Sequence, residues 1–336
     1  MASGGSGLEA LYRLITKSAA ATNPATSPVP RQDASQLTND FCARWWQPSE
    51  MPALRHRAAH FALKRLGLFN RRYKETAFGR EFIVPIINGR KTYVSEHWMA
   101  DMIRRLFDLA PGAFIDVGVN LGQTLLKVAA IDASRRYIGF EPNPACADYS
   151  AELIRANGLP YTLIPAGLGS KGGIAQLQFY RDEDTDPSAS LVDGFRDNHI
   201  AARAVVVLSL DQLPDDLIPE EVAIVKIDVE GGEADVLEGI KPLLREHRPF
   251  VLVEILPAYT SDNLPRIERQ QQIERTLSDL GYKMFRIRRD ASEQFSTIEA
   301  IATIGIHGDL ALSDYLMAPK ERVPALAALQ SEAVAP

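Results

Sequence analysis

Residues 113–124 read AFIDVGVNLGQT, a short apolar run that ends in an acid and two spaced glycines before a helical pattern begins. A five-residue run carrying Phe114, Ile115 and Val117 suits a strand buried on both faces. Gly118 and Gly122 let the backbone turn tightly and approach a ligand, and the free amides opening the next helix add polar donors. A bare structural turn accounts for such glycines equally well, so this stretch alone does not establish a ligand site. The next apolar run, YIGFEPNP (137–144), also leaves a strand for a loop, and Glu141 lies 19 residues beyond Gly122 (141 − 122). A carboxylate in that place can accept both hydroxyls of a ribose. The two stretches together point to a cofactor containing adenosine.

Working outward, short apolar runs alternate with helical stretches, which is the texture of a parallel sheet with crossover helices. Strands are predicted at 113–117, 136–140, 161–165, 224–228 and 250–254, with helices at 123–130, 146–157, 234–244 and 264–280. Strands at 283–287 and 315–318 should close the sheet as an antiparallel C-terminal hairpin. The fold class is therefore α/β, a doubly wound Rossmann-like sheet, mostly parallel. Upstream, apolar positions at helical spacing predict a helix over 96–109. FIVPIINGRKTYV places Asn88-Gly89 between two apolar runs, and this dipeptide suits a tight hairpin turn. Residues from Thr38 to about Asn70 read as helical, while 19–35 are rich in Ala, Thr, Ser and Pro and cannot bury enough surface to offset their ordering entropy. The expected organisation is a flexible segment (1–37), a helical cap with a β-hairpin (38–110), the α/β unit (111–320) and a tail (321–336).

The net charge of −6 over 336 residues argues against nucleic-acid partners, whose phosphates need a basic footprint. Two cysteines, Cys42 and Cys146, are too few for a disulfide framework, a structural zinc site or three-cysteine iron–sulfur ligation. A reducing cytoplasm is the expected compartment. The first twenty residues lack a charged leader before an apolar run, so no signal peptide is read, and no stretch approaches the roughly 20 apolar residues of a membrane-spanning helix.

A third chemical signal is IVKIDVEGGEADVLEG (224–239), an apolar strand that carries Lys226, Asp228 and Glu230 into a Gly231-Gly232 turn. Ligands of open α/β sheets bind beyond the carboxyl ends of strands, so Asp228 and Glu230 should share a crevice with Asp116 and Glu141. Alternatively Asp228, Glu230 and Glu233 cap the following helix or favour its positive end. Charge narrows the choice of cofactor. A G-x-G-x-x-G dinucleotide fingerprint is broken here, because Asn120 replaces the middle glycine and Gln123 the third. A carboxylate at Asp116 disfavours a pyrophosphate and suits the ammonium of a methionine moiety.

The runs IDVGVNLGQT (115–124), FEPNP (140–144), NGLPYTLIPAGLGSKGG (157–173), SASLV (188–192), VVVLSLDQL (205–213), VKIDVEGGEADVLEGI (225–240) and RPFVLVEI (248–255) stand in the order and spacing of the FkbM family of methyltransferases. The chain resembles that family over roughly residues 114–256, and weakly at DYLMAPK (314–320); Val119 departs from the Ala usual in the family. The resemblance implies an S-adenosylmethionine-dependent O-methyltransferase acting on hydroxyls of sugars, glycolipids or natural products, thus a small-molecule or glycan acceptor. It implies that Asp116, Gly118, Asn120 and Gly122 hold the methionine end, Glu141 the ribose, and that Asn143 shapes the adjoining loop. Ala166, Gly167 and Leu168 would border the adenine, and Ser188 to Ser190 would begin a loop over the active site.

Methyl transfer to oxygen needs positioning and help with the hydroxyl proton. Asp228 and Glu230 are the candidates for that help. His199 is weighed beside them because histidine is the usual general base, although a lone histidine near Asn198 suits a solvated loop as well. His97, next to Trp98, carries the same ambiguity. A divalent metal on Asp228, Glu230 or Glu254 is a further option for polarising the hydroxyl. Rival readings are an NAD-dependent oxidoreductase on sugar nucleotides and a non-catalytic binding module of the same fold. A homo-oligomer is left open.

Overall fold

The protein is described by a computed structural model over residues 70–330. The expected flexible segment, the helical stretch up to residue 69, Cys42, and residues 331–336 lie outside the described residues. The described residues form one compact unit.

The unit opens with a hairpin of β1 (Arg71–Ala77) and β2 (Arg80–Ile86), paired from Arg71↔Ile86 to Ala77↔Arg80. Its turn is Phe78-Gly79, both at positive φ (52° and 82°). The predicted turn at Asn88-Gly89 also forms, with φ of 50° and 79° and a 2.9 Å hydrogen bond in each direction between Ile87 and Arg90. The expected hairpin around it does not: residues 91–96 form no strand. β2 finds its partner upstream instead, in RRYKETA, whose polar character hides it from an apolar pattern search. Helix α1 (His97–Leu109) comes next and buries Trp98, Met102, Ile103 and Leu106 on one face.

The α/β core then runs β3 (Ala113–Val117), α2 (Gln123–Ile131), β4 (Tyr137–Phe140), α3 (Pro144–Ala156) and β5 (Thr162–Ile164). A small side sheet of β6 (Gly167–Leu168), β7 (Gly173–Phe179) and β8 (Ala201–Leu208) comes next, in the order β6-β8-β7. The core resumes with β9 (Val222–Ile227), α4 (Glu233–Gly239), α5 (Lys241–His247), β10 (Phe250–Glu254) and α6 (Leu264–Asp279). It ends on β11 (Tyr282–Arg289), β12 (Phe295–Ile301) and β13 (Asp314–Pro319).

The main sheet has eight strands in the order β12-β11-β13-β10-β9-β3-β4-β5. From β10 to β5 every pairing is parallel. β13 runs antiparallel to both β10 and β11, so the expected antiparallel C-terminal pair forms and β12 extends it. Alternate side chains fill two cores, as a sheet covered on both faces requires. Phe114, Ile224 and Phe250 pack with α1, α2 and α3, whereas Ile115, Val225 and Val251 pack with α4, α5 and α6.

The single helix predicted over 234–244 is broken at Ile240 into α4 and α5. Pro242 sits in the first turn of α5, where its missing N–H costs nothing, and could not stand inside a continuous helix. Gly239 also packs so closely on the Gly169 backbone that a Cβ would overlap it. At the end of the described chain, Leu326 and Leu329 are buried in the first core, so part of the expected tail packs on the sheet.

Candidate active site

The loops leaving the carboxyl ends of β3, β4, β9 and β10 border one cavity of about 550 Å³. This is the crevice in which doubly wound sheets bind ligands. Gly118 opens the first loop at φ 91°, and a Cβ there would overlap the carbonyl oxygen of Asp228, so only glycine lets the β3 and β9 loops touch. Asn120 stands next in the loop at φ 50° and faces the cavity; Gly122 then caps α2 beneath Leu153.

Glu141 leaves β4 almost fully buried and faces the same cavity. Its Oε2 accepts the Asn120 amide at 2.6 Å and its Oε1 accepts the Asn143 amide at 2.8 Å. The acid thereby ties the first loop to the second. Burial pushes its carboxyl up to about 7, against the two amides, which pull it down. Asn143 caps α3 by accepting from the Ala145 amide, and its Nδ2 donates to the Asp184 carbonyl at 2.7 Å. Gly167 and Leu168 also line the cavity, as do Asp186, Pro187 and Ala189. Ser190 Oγ donates to the Glu230 carbonyl at 2.6 Å, which ties the 188–192 loop to the β9 loop.

Asp116 departs from its expected place. It is fully buried below the cavity and does not line it. Tyr137 Oη donates to its Oδ2 at 2.6 Å, and Lys226 Nζ lies 3.4 Å from its Oδ1. The same ammonium reaches Asp228 Oδ2 at 3.2 Å and donates to the Gly118 carbonyl at 3.0 Å. Burial works against the charge of Lys226, but Asp116 and Asp228 outweigh it and hold the pKa above the ordinary lysine value. Lys226 therefore knits β3 to β9 under the site and leaves Asp228 facing the cavity. The signal for this role was a lysine inside an otherwise apolar strand.

Of the remaining acids, Glu230 lines the cavity at φ 52°, with Oε2 2.5 Å from Arg196 Nη2. Burial and the neighbouring Asp228 raise its carboxyl, against the pull of Arg196. Glu233 is the first residue of α4; its Oε1 accepts the Gly231 amide at 2.8 Å ahead of the helix, the N-cap Gly232 supplies no side-chain cap, and Glu233 does not line the cavity. Glu254, at the end of β10, lines the far wall, where burial and the charges of Asp228 and Asp314 push its carboxyl up to about 9. His199 is exposed in the segment before β8 and stands away from the cavity, so it is no part of this site. His97 is exposed too, its ring 5.3 Å from that of Phe78. Among the described residues no three His, Cys, Asp or Glu side chains group closely enough to hold a metal ion, and Asp228, Glu230 and Glu254 do not form such a set.

An open sheet in this order, with one antiparallel strand wedged near its end and an acid closing the second strand of its parallel half, defines a class I methyltransferase fold of Rossmann-like type. The sequence profile of the methyltransferase FkbM domain matches residues 116–284, and the chain belongs to that family of methyltransferases. It is 25% identical over 217 residues to methyltransferase sdnD of Sordaria araneosa, covering 55% of this chain and 80% of that one. It is 28% identical over 158 residues to the hexuronic acid methyltransferase AglP of Haloferax volcanii, covering 46% and 61%. Among solved structures, the methyltransferase FkbM of Methylobacillus flagellatus aligns at 16% identity and a TM-score of 0.37, over 61% of this chain and 43% of that one. No helix among the described residues is long and apolar enough to cross a membrane.

Proposed function

We propose that this protein transfers a methyl group from S-adenosylmethionine to a hydroxyl oxygen of a sugar, glycolipid or natural product. The observation that carries the reading is Glu141, a buried carboxylate at the end of β4, aimed at the cavity and fixed by the Asn120 and Asn143 amides. Each of its oxygens has a second lone pair for a ribose hydroxyl. The cavity also fits the cofactor in size, since small-molecule sites span about 300–1,000 Å³. Its charge fits as well: even with Glu254 held neutral, the six other acids that line it (Glu96, Glu141, Asp186, Asp228, Glu230, Asp235) outnumber its two lysines (Lys171, Lys226). Such a wall attracts a cationic sulfonium and repels a pyrophosphate, which disfavours the dinucleotide reading. When bound, the cofactor supplies an electrophilic methyl group.

The chain's own residues do the rest. Glu141 holds the ribose, Gly167 and Leu168 flank the adenine, and the Gly118 loop with Asn120 meets the methionine end. Asp228 and Glu230 accept the acceptor's hydroxyl proton; the Asp228 side chain is 38% exposed and open to the cavity. The name of the Haloferax relative, an enzyme of hexuronic acids, supports a carbohydrate acceptor. The catalytic domain is proposed to span about 111–320, with the β1–β2 hairpin and α1 as its N-terminal extension. With Cys146 free and buried, a reducing cytoplasmic setting belongs to the proposal. The test is transfer of labelled methyl from S-adenosylmethionine to a panel of glycans and hydroxylated metabolites. Alkali-stable label on a hydroxyl supports the reading, and label on nitrogen or carbon alone overturns it.

A further inference from the structure

Beside Glu230, which lines the cavity and holds Arg196, a cluster of arginines gathers around Phe195. Phe195 is buried against the β9 loop, its ring 2.5 Å from where a Cβ on Gly231 would stand. Three guanidiniums surround that ring, with Arg266, Arg269 and Arg196 at 4.6, 5.3 and 5.6 Å from its centroid. Arg196 is neutralised by Glu230. Among the described residues Arg266 donates only to the carbonyls of Pro257 and Phe195, at 3.1 and 3.4 Å. Arg269 makes no hydrogen bond or ion pair with any described residue. Both stand in the first two turns of α6, three residues apart, where the positive end of the helix adds to their field. Burial and the like charge of Arg266 lower the pKa of Arg269, and Glu233 offsets them only in part.

We propose that Arg266 and Arg269, with Arg196 behind them, form an anion-binding subsite for the methyl acceptor, taking a carboxylate or a phosphate group of a sugar. This assignment to the acceptor rests on the proposed methyl transfer. Guanidinium forks match the geometry of both anions. The carboxylate of Asp228 repels an anion from the interior of the cavity, while the arginines gathered around Phe195 beside Glu230 attract it. An acidic acceptor is thereby admitted in one orientation, with its charged end on α6 and a neutral hydroxyl toward Asp228 and Glu230. Tyr259, 43% exposed and 5.3 Å from Arg266, offers an aromatic face beside that path.

Calorimetric titration of the full chain, saturated with S-adenosylhomocysteine, uses D-glucuronate, glucose 1-phosphate and glucose as probes. At least one of the anions binds ten times more tightly than glucose, and which one does so tells carboxylate from phosphate. Arg269→Glu, which breaks no hydrogen bond within the protein, removes that preference, and Arg269→Lys restores part of it. S-adenosylhomocysteine affinity stays unchanged in both variants, so a failure of the cofactor to bind reports on the methyl-transfer reading separately. The subsite is overturned if neither anion outbinds glucose, or if Arg269→Glu leaves the preference intact.

Discussion

Replacing Lys226 by Met removes the ammonium while keeping most of the side chain's length. In the intact protein that ammonium serves Asp116 at 3.4 Å, Asp228 at 3.2 Å and the Gly118 carbonyl at 3.0 Å. Asp116 has no access to water, so after the substitution its carboxylate keeps only the Tyr137 hydroxyl. Breaking a buried pair by removing one partner costs about 3–5 kcal/mol. That is a large part of the roughly 5–15 kcal/mol that holds a domain folded. Burial already raises the Asp116 carboxyl, against Lys226 and Tyr137, and loss of Lys226 raises it further. An acid whose folded pKa is raised stabilises the fold below its unfolded pKa and loses that contribution as pH rises through the folded value. The penalty of Lys226→Met is therefore smaller at pH 5 than at pH 8. Asp116→Asn in the same chain removes the stranded charge and still accepts from Tyr137, so the double variant recovers more than half of the loss. Urea unfolding of the four proteins of this cycle, at both pH values, measures the coupling. A loss under about 1 kcal/mol at pH 8 would refute the account of Lys226, as would a double variant no more stable than Lys226→Met.

Two further outcomes concern the acids of the cavity. Glu230→Gln keeps the size and the Arg196 contact but removes basicity, so initial rates on an identified acceptor fall roughly 10²–10⁴-fold while cofactor affinity holds; normal turnover would transfer the role to Asp228. Glu254 has a folded carboxyl near 9 against an ordinary 4.5, so wild-type stability declines as pH rises from about 4.5 toward 9. Glu254→Gln flattens that decline and raises the melting temperature at pH 8.5, and a lower melting temperature there would contradict the assigned charge repulsion.

The parallel half of the sheet was legible because strands buried on both faces read as apolar runs, and because β3 runs into a glycine turn and β4 into Glu141. The β1–β2 hairpin was not, since β1 alternates exposed polar and half-buried positions and carries no apolar stripe. The small sheet was missed for a similar reason: Ile174 and Val206 are cross-strand partners whose side chains face water. Glu141 was found from spacing alone, because the chain's own path from Gly122 through α2 and β4 sets its place. Asp116 was misplaced because its partners, Tyr137 on the neighbouring strand and Lys226 on β9, stand 21 and 110 residues away (137 − 116, 226 − 116), and pairing at that separation leaves no local pattern. The Arg196 to Glu230 pair, 34 residues apart and on two loops, was hidden in the same way.

The central claim is that Glu141 marks the ribose of an S-adenosylmethionine site, and it is tested most directly by titrating S-adenosylhomocysteine and NAD into the wild-type chain and Glu141→Ala. The account predicts one S-adenosylhomocysteine per chain, no NAD, and roughly 10- to 100-fold weaker binding in the variant, the equivalent of the 1.5–3 kcal/mol expected for hydrogen bonds to a charged acceptor. Tight binding of NAD in place of S-adenosylhomocysteine, or equal affinity in Glu141→Ala, would contradict it.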